Sequence, residues 1–145
     1  MGNDVGLRLL ALDSEDLEVI SSALQDAVLK AEHIRYDARR RSFHIEMNRY
    51  RWERPAARSR TRSLLSVDGV TRVRTRAVSR RDPDMIYSLL SMTFKPAADP
   101  PGGQLCLLFA GDGEIELTVE ALDVTLFDSS YEWPARDEPD HDRKR

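Results

Sequence analysis

LCLLFAGDGEIELTV, residues 105–119, is the stretch from which the fold is read. Leu105, Leu107 and Phe109 occupy alternate positions, and Ile115, Leu117 and Val119 do so again beyond Gly111, Asp112 and Gly113. A period of two places each triplet on one face of a strand. The triplets mirror each other across the turn, so an antiparallel hairpin brings all six side chains to one side, with Gly113 the expected left-handed residue of a three-residue loop. A hairpin with one apolar face belongs to an antiparallel sheet that covers a core on that side and meets solvent on the other.

Working outward, the same period recurs along most of the chain. After Glu120 the apolar residues Leu122, Val124 and Leu126 continue in the opposite phase, which requires a kink near Ala121. Upstream, Met85 to Lys95 reads as a strand from its Ile, Tyr, Thr and Phe, although Asp82-Pro83 also suits a helix start. Leu64 to Val78 is strand-like around Asp68-Gly69, which reads as a bulge in one long strand or a two-residue hairpin turn. Ile34 and Tyr36, then Phe43, Ile45 and Met47, flank the polar 38–41 segment as a hairpin; the apolar phase then flips to Tyr50 and Trp52, predicting a bulge or the strand's end near Asn48 and Arg49. Residues 53–61 form an arginine-rich loop, and Leu7 to Leu12 a short strand.

One helix stands apart from this pattern. Asp13 is placed to cap it, Glu15 and Asp16 favour its positive end, Leu12 is set to staple onto Leu17, and Leu17, Ile20, Leu24, Ala27 and Val28 share a face. The expected fold is therefore α+β: one N-terminal amphipathic helix packed on a twisted, mostly antiparallel sheet of about six or seven strands, curled toward a barrel. Residues 1–135 are expected to form a single globular domain and 136–145 a disordered charged tail.

Charge is distributed unevenly. Residues 30–81 hold sixteen bases, fifteen of them arginine, against five acids, a net +11, whereas residues 1–29 are net −5 and residues 82–145 net −9. Nineteen arginines against three lysines suit phosphate recognition and also fit the codon bias of a GC-rich genome, but that bias does not explain their clustering. A field of this kind points to an anionic partner. Antiparallel pairing of the strands ending near Trp52 and starting near Arg62 carries Arg72, Arg74 and Arg76, which share a face, out beside the Arg39, Arg40 and Arg41 turn. The competing reading is a solvated face whose arginines pair with Glu114, Glu116 and Glu120. Asn48 to Glu53 mixes aromatics with arginine as a base-stacking platform does, but Tyr and Trp in a strand more often serve core or sheet-face packing.

Catalytic signatures are missing: no H-E-x-x-H, G-x-S-x-G, G-x-G-x-x-G or G-x-x-x-x-G-K occurs. Cys106, the single cysteine, excludes an intrachain disulfide and a multi-thiolate zinc site, and its mid-strand position suits an inert thiol. His33, His44 and His141 do not form a metal triad by position; Asp112, Glu114 and Glu116 alternate around a turn but lack the calcium-loop pattern and read as edge charge. Glu120 and Asp123 become paired carboxylates only if the Ala121 kink turns both inward. No cofactor is expected. The longest apolar run, Leu105 to Ala110, is far short of a membrane span, and the N-terminus has no secretory pattern, so the protein is expected to be cytoplasmic with no membrane partner.

Leu10 to Leu12, Glu15 to Leu17, Val19 to Ser21 and Leu24 to Val28 resemble the opening of an uncharacterised bacterial family, domain of unknown function 2948. Asn48, Arg49, Tyr50, Trp52 and Glu53 are similar to its second signature, and Val119 to Val124 with Trp133 to its C-terminal one. The resemblance spans nearly the whole chain and implies a small single-domain bacterial protein, without implying an activity, cofactor or catalytic residue. The residues themselves favour a non-enzymatic module using Arg39, Arg40, Arg41, Arg72, Arg74 and Arg76 to engage RNA or an acidic protein surface. The alternative is a structural or homodimeric interaction module with a merely solvated arginine face; an enzyme with an unrecognised carboxylate site ranks third.

Overall fold

The computed structural model describes residues 6–53, 56 and 58–134. The expected charged tail, residues 136–145, lies outside them, as do Arg54 and Pro55 of the arginine-rich loop. The helix starts as its signals predict, but it is shorter than expected: α1 spans Ser14–Ala23, Ala27 lies beyond it and Val28 opens a strand, while the Asp13 side chain accepts from the Asp16 amide at 2.8 Å, satisfying one of the orphan donors of the first turn. Leu17, Ile20 and Leu24 are buried on its inner face. Leu12, expected to staple onto Leu17, is exposed instead.

Ten strands follow the chain among the described residues: β1 Arg8–Ala11, β2 Val28–Lys30, β3 Ile34–Asp37, β4 Ser42–Tyr50, β5 Ser59–Asp68, β6 Val70–Arg76, β7 Ile86–Pro96, β8 Gly103–Phe109, β9 Gly113–Val119 and β10 Val124–Pro134. They make one sheet in the order β1-β10-β5-β4-β2-β7-β8-β9-β6, with β3 paired to β4 off that path, and every pairing is antiparallel. The count exceeds the expected six or seven for two reasons. β2, of three residues, is too short to show a period, and the Leu64–Val78 segment is two strands. Gly69, at φ +73°, is neither a hairpin turn nor a bulge within one strand; it is a corner, so β5 pairs with β4 and β10 while β6 pairs with β9. The sheet does not close into a barrel.

The 105–119 hairpin forms as β8 and β9, with Leu105 opposite Leu117 and Leu107 opposite Ile115, all buried. The left-handed residues are Gly111 and Asp112 rather than Gly113. Gly113 is needed for closeness: a Cβ there would stand 2.9 Å from Val78 Cγ2. The segment expected as a strand over 85–95 is β7, Ile86–Pro96, inside the sheet between β2 and β8. The break at 120–123 ends β9 and sends β10 to the other end of the sheet, where it lies between β1 and β5. One continuous core joins α1 to the inner faces of both ends of the sheet, from Phe43, Ile45 and Met47 through Leu65 and Val67 to Leu117 and Leu126.

Of the two outcomes expected near Asn48 and Arg49, the strand's end is the one found: β4 stops at Tyr50, and no bulge breaks its pairing with β5. β4 runs unbroken to Tyr50, in register with β5 as far as Arg60, so Arg49 takes the inward position that follows Phe43, Ile45 and Met47. Residues of that row face the core, and a charge can stand there only if other groups neutralise it.

Candidate functional site

The arginines divide by position. Arg72, Arg74 and Arg76 are exposed along one face of β6, a free edge of the sheet, and at two-residue intervals span about 13 Å. The 38–41 turn meets the start of that strand: the Val70 amide donates to the Arg41 carbonyl at 2.9 Å, and the Tyr36 hydroxyl donates to the Val70 carbonyl at 2.7 Å. The two arginine groups read from the sequence thus lie end to end. Part of their charge is answered locally, because Arg41 pairs with Glu120 at 2.9 Å, Arg76 with Glu114 at 3.0 Å, and Arg40 approaches Asp37 at 3.9 Å. Among the described residues Arg39, Arg72 and Arg74 have no ion-pair partner. Exposed pairs of this kind contribute about 0–1 kcal/mol each, so they hold these arginines only weakly.

Behind β6 the sheet opens. β3, like β6, is paired on one side only, and the two edges splay apart from the Tyr36–Val70 contact to leave a cleft of about 310 Å³. Its floor is apolar, from Ile34, Phe43, Val73 and Ile115, and Arg80 stands at its rim. A smaller hollow of about 200 Å³ lies on the outer face between Arg74, Arg76, Glu114 and Glu116.

Cys106, Glu114 and Glu116 present one ligand atom each within 4.8 Å of one another, the one such group of three among the described residues. Cross-strand register explains it, since Cys106 faces Glu116 and Leu108 faces Glu114. Partial burial and the neighbouring Glu114 push the Cys106 thiol above its ordinary pKa, away from the thiolate that metals and electrophiles need. Glu120 turns outward onto Arg41, so the paired-carboxylate arrangement with Asp123 and a histidine is not assembled. Ser42 Oγ lies 2.8 Å from His44 Nε2 and donates to Asp68 at 3.3 Å. In a nucleophilic relay the carboxylate orients the imidazole; here it binds the serine instead.

The buried charges went unseen in the sequence. Arg49 is 0% exposed, and its Nε and one terminal nitrogen donate to the two oxygens of Asp128 at 2.8 and 2.6 Å, while the guanidinium also donates to both oxygens of Glu53 at 3.0 and 2.7 Å. Ser63 Oγ donates to Asp128 at 2.6 Å and the Leu7 amide at 2.8 Å. The clamp therefore ties β4, β5, β10 and the segment before β1. Gly6 belongs to it by absence of bulk, because a side chain there would collide with Asp128 Cβ. Tyr50 is fully buried, edge-on to Trp52 at 4.8 Å, and Trp52 Nε1 donates to the Gln25 carbonyl at 3.1 Å, so this segment packs and offers no base-stacking platform. The legible signal was the position of Arg49, two residues beyond Met47 in the core row.

Burial by itself would raise the Asp128 carboxyl, but hydrogen bonds from Arg49, Ser63 and the Leu7 amide hold it below the ordinary carboxylate range; Glu53 is likewise held down by Arg49 against the effect of burial. Burial would lower Arg49, and its bonds to Asp128 and Glu53 raise it instead. Depressed carboxylate values mean that the unfolded chain takes up protons first. The clamp's contribution is complete above the unfolded value of about 4 and is lost as pH falls through the folded values. Urea midpoints measured from pH 6 downward should therefore fall below about pH 4–5, and fall less steeply in Asp128→Asn.

One amphipathic helix on an open, ten-stranded antiparallel sheet, locked by a buried arginine–carboxylate clamp and bearing a free arginine edge, defines an α+β protein without a recognisable catalytic centre among its described residues. The chain belongs to the family DUF2948, a protein family of unknown function, whose model matches residues 7–141. No curated protein and no solved structure matches it. The Asn48–Glu53 signature is the segment that supplies Arg49 and Glu53 to the clamp. No helix of the described residues is long and apolar enough to cross a membrane.

Proposed function

We propose that this protein is a non-enzymatic binding module whose arginine edge engages an anionic partner, RNA or an acidic protein surface. The observation that supports the reading is the backbone bond that joins Arg41, at the end of the 38–41 turn, to Val70 at the start of β6, the strand that bears Arg72, Arg74 and Arg76 and is paired on one side only among the described residues. Arg39, Arg72 and Arg74 supply charge not answered by a described carboxylate, and Arg41 and Arg76 can exchange exposed intramolecular partners for a stronger external one. A cytoplasmic location accords with the free thiol of Cys106.

Electrostatic binding is strongest at low salt. Anisotropy of labelled single-stranded RNA and oligoglutamate, titrated from about 50 mM salt upward, should show affinity falling linearly on a log-log scale, for RNA with a slope near −0.7 per phosphate contacted. Absence of binding to both probes at about 50 mM would remove the reading.

A second reading rests on the opposite edge. β1 is four residues long, and Leu10 within it and Phe127 on β10 are 54% and 40% exposed, an apolar corner suited to a second copy of the chain. Sedimentation velocity separates the two: a monomer at high concentration leaves only the arginine edge.

A further inference from the structure

The cleft between β3 and β6 specifies the kind of anionic partner. Both strands are paired on one side only among the described residues, and each contributes side chains to the same cleft, with its apolar floor of Ile34, Phe43, Val73 and Ile115. Tyr36 closes one end through its bond to the Val70 carbonyl, and Arg80 marks the rim toward the other. Free backbone donors and acceptors above a hydrophobic trough are the elements of strand addition, in which main-chain bonds give affinity and alternate side-chain pockets give specificity. At about 310 Å³ the trough is at the small end of the range for binding pockets, enough for a few aliphatic side chains rather than a folded element.

We propose that this cleft takes an extended acidic segment of a partner protein as an additional strand on β6. The inference rests on the arginine-edge reading and narrows it. Charge and period both select the occupant. Arg72, Arg74 and Arg76 recur every second residue on the outer face, and in an added strand the side chains opposite them recur with the same period, about 6.6–6.8 Å apart. Alternating acids therefore meet the arginines one for one across the ladder, where opposite charges are favourable, while the intervening apolar side chains turn inward onto Val73 and the trough. A nucleic-acid strand would use the charge but neither the backbone edge nor the apolar floor.

The test uses a labelled ten-residue peptide alternating valine and glutamate, the same peptide with two central valines replaced by proline, an oligoglutamate of equal charge, and a ten-nucleotide single-stranded RNA. The alternating peptide should bind at least tenfold more tightly than the other three, and its binding should protect β6 amides from hydrogen exchange. Thr75→Trp, at an exposed position lining the cleft, should weaken it at least tenfold and leave oligoglutamate binding unchanged. Equal affinity for the proline peptide or oligoglutamate, tighter binding of RNA, or unprotected β6 amides would overturn strand addition while sparing the arginine edge. Failure of all four probes to bind would overturn both. If Thr75→Trp does not fold, the exchange measurement on the unaltered protein decides.

Discussion

Asp128→Ala is expected to lower folding stability by about 3–5 kcal/mol, the cost of leaving a buried partner charge uncompensated. Arg49 cannot relax into water, because it is fully buried at the end of the inward row of β4, and Glu53, its remaining partner, is a third exposed. Ser63 Oγ and the Leu7 amide lose their acceptor as well, so the N-terminal segment loses one of its ties to β10. Against a domain stability of about 5–15 kcal/mol this is a large fraction. The urea midpoint should drop with little change in slope, since the folded and unfolded surfaces stay similar. Arg49→Met combined with Asp128→Leu should cost less than Asp128→Ala alone, because the pair is then removed together. A single mutant no less stable than the double would show that the clamp is not what holds β10 to β4 and β5.

Arg39→Glu/Arg72→Glu/Arg74→Glu should abolish binding of anionic probes while leaving the fold intact. These side chains lack ion-pair partners among the described residues and are exposed, so the stability change should stay within about 0.5 kcal/mol for each substitution. Removing three contacts with single-stranded RNA lowers the log-log salt slope by about 2, which at 50 mM corresponds to a loss on the order of a few hundredfold in affinity before any repulsion is added. Reversing Arg41 and Arg76 instead should cost less, because both already pair with a carboxylate, Glu120 and Glu114 respectively. An unchanged affinity in the triple variant would assign any anion binding to another surface.

The clamp and the arginine edge differ in how readily each could be read from residues alone. The edge was legible because its two groups sit on a hairpin turn and a period-two strand, features of local chemistry. The clamp joins Arg49 to a carboxylate 79 positions away, and period-two reasoning treats an arginine in a core row as a break in the strand. That is why a bulge or the strand's end was expected near Asn48 and Arg49. The cleft was invisible for a different reason. β3 is four residues long, and nothing in Asp68-Gly69 says that the chain turns a corner there and leaves β6 without a second neighbour.

Local order is settled by the chain's own periodicity and caps: Asp13 starts the helix, Leu17, Ile20 and Leu24 give it one face, and the mirrored triplets of 105–109 and 115–119 make a hairpin, because each signal acts between residues a few positions apart. Only the folded arrangement decides the number of strands, the open seam between β3 and β6, and the neutralisation of Arg49 by Asp128. Those depend on which distant segments become neighbours, and the free energy of a buried charge is set by neighbours that the linear order does not reveal.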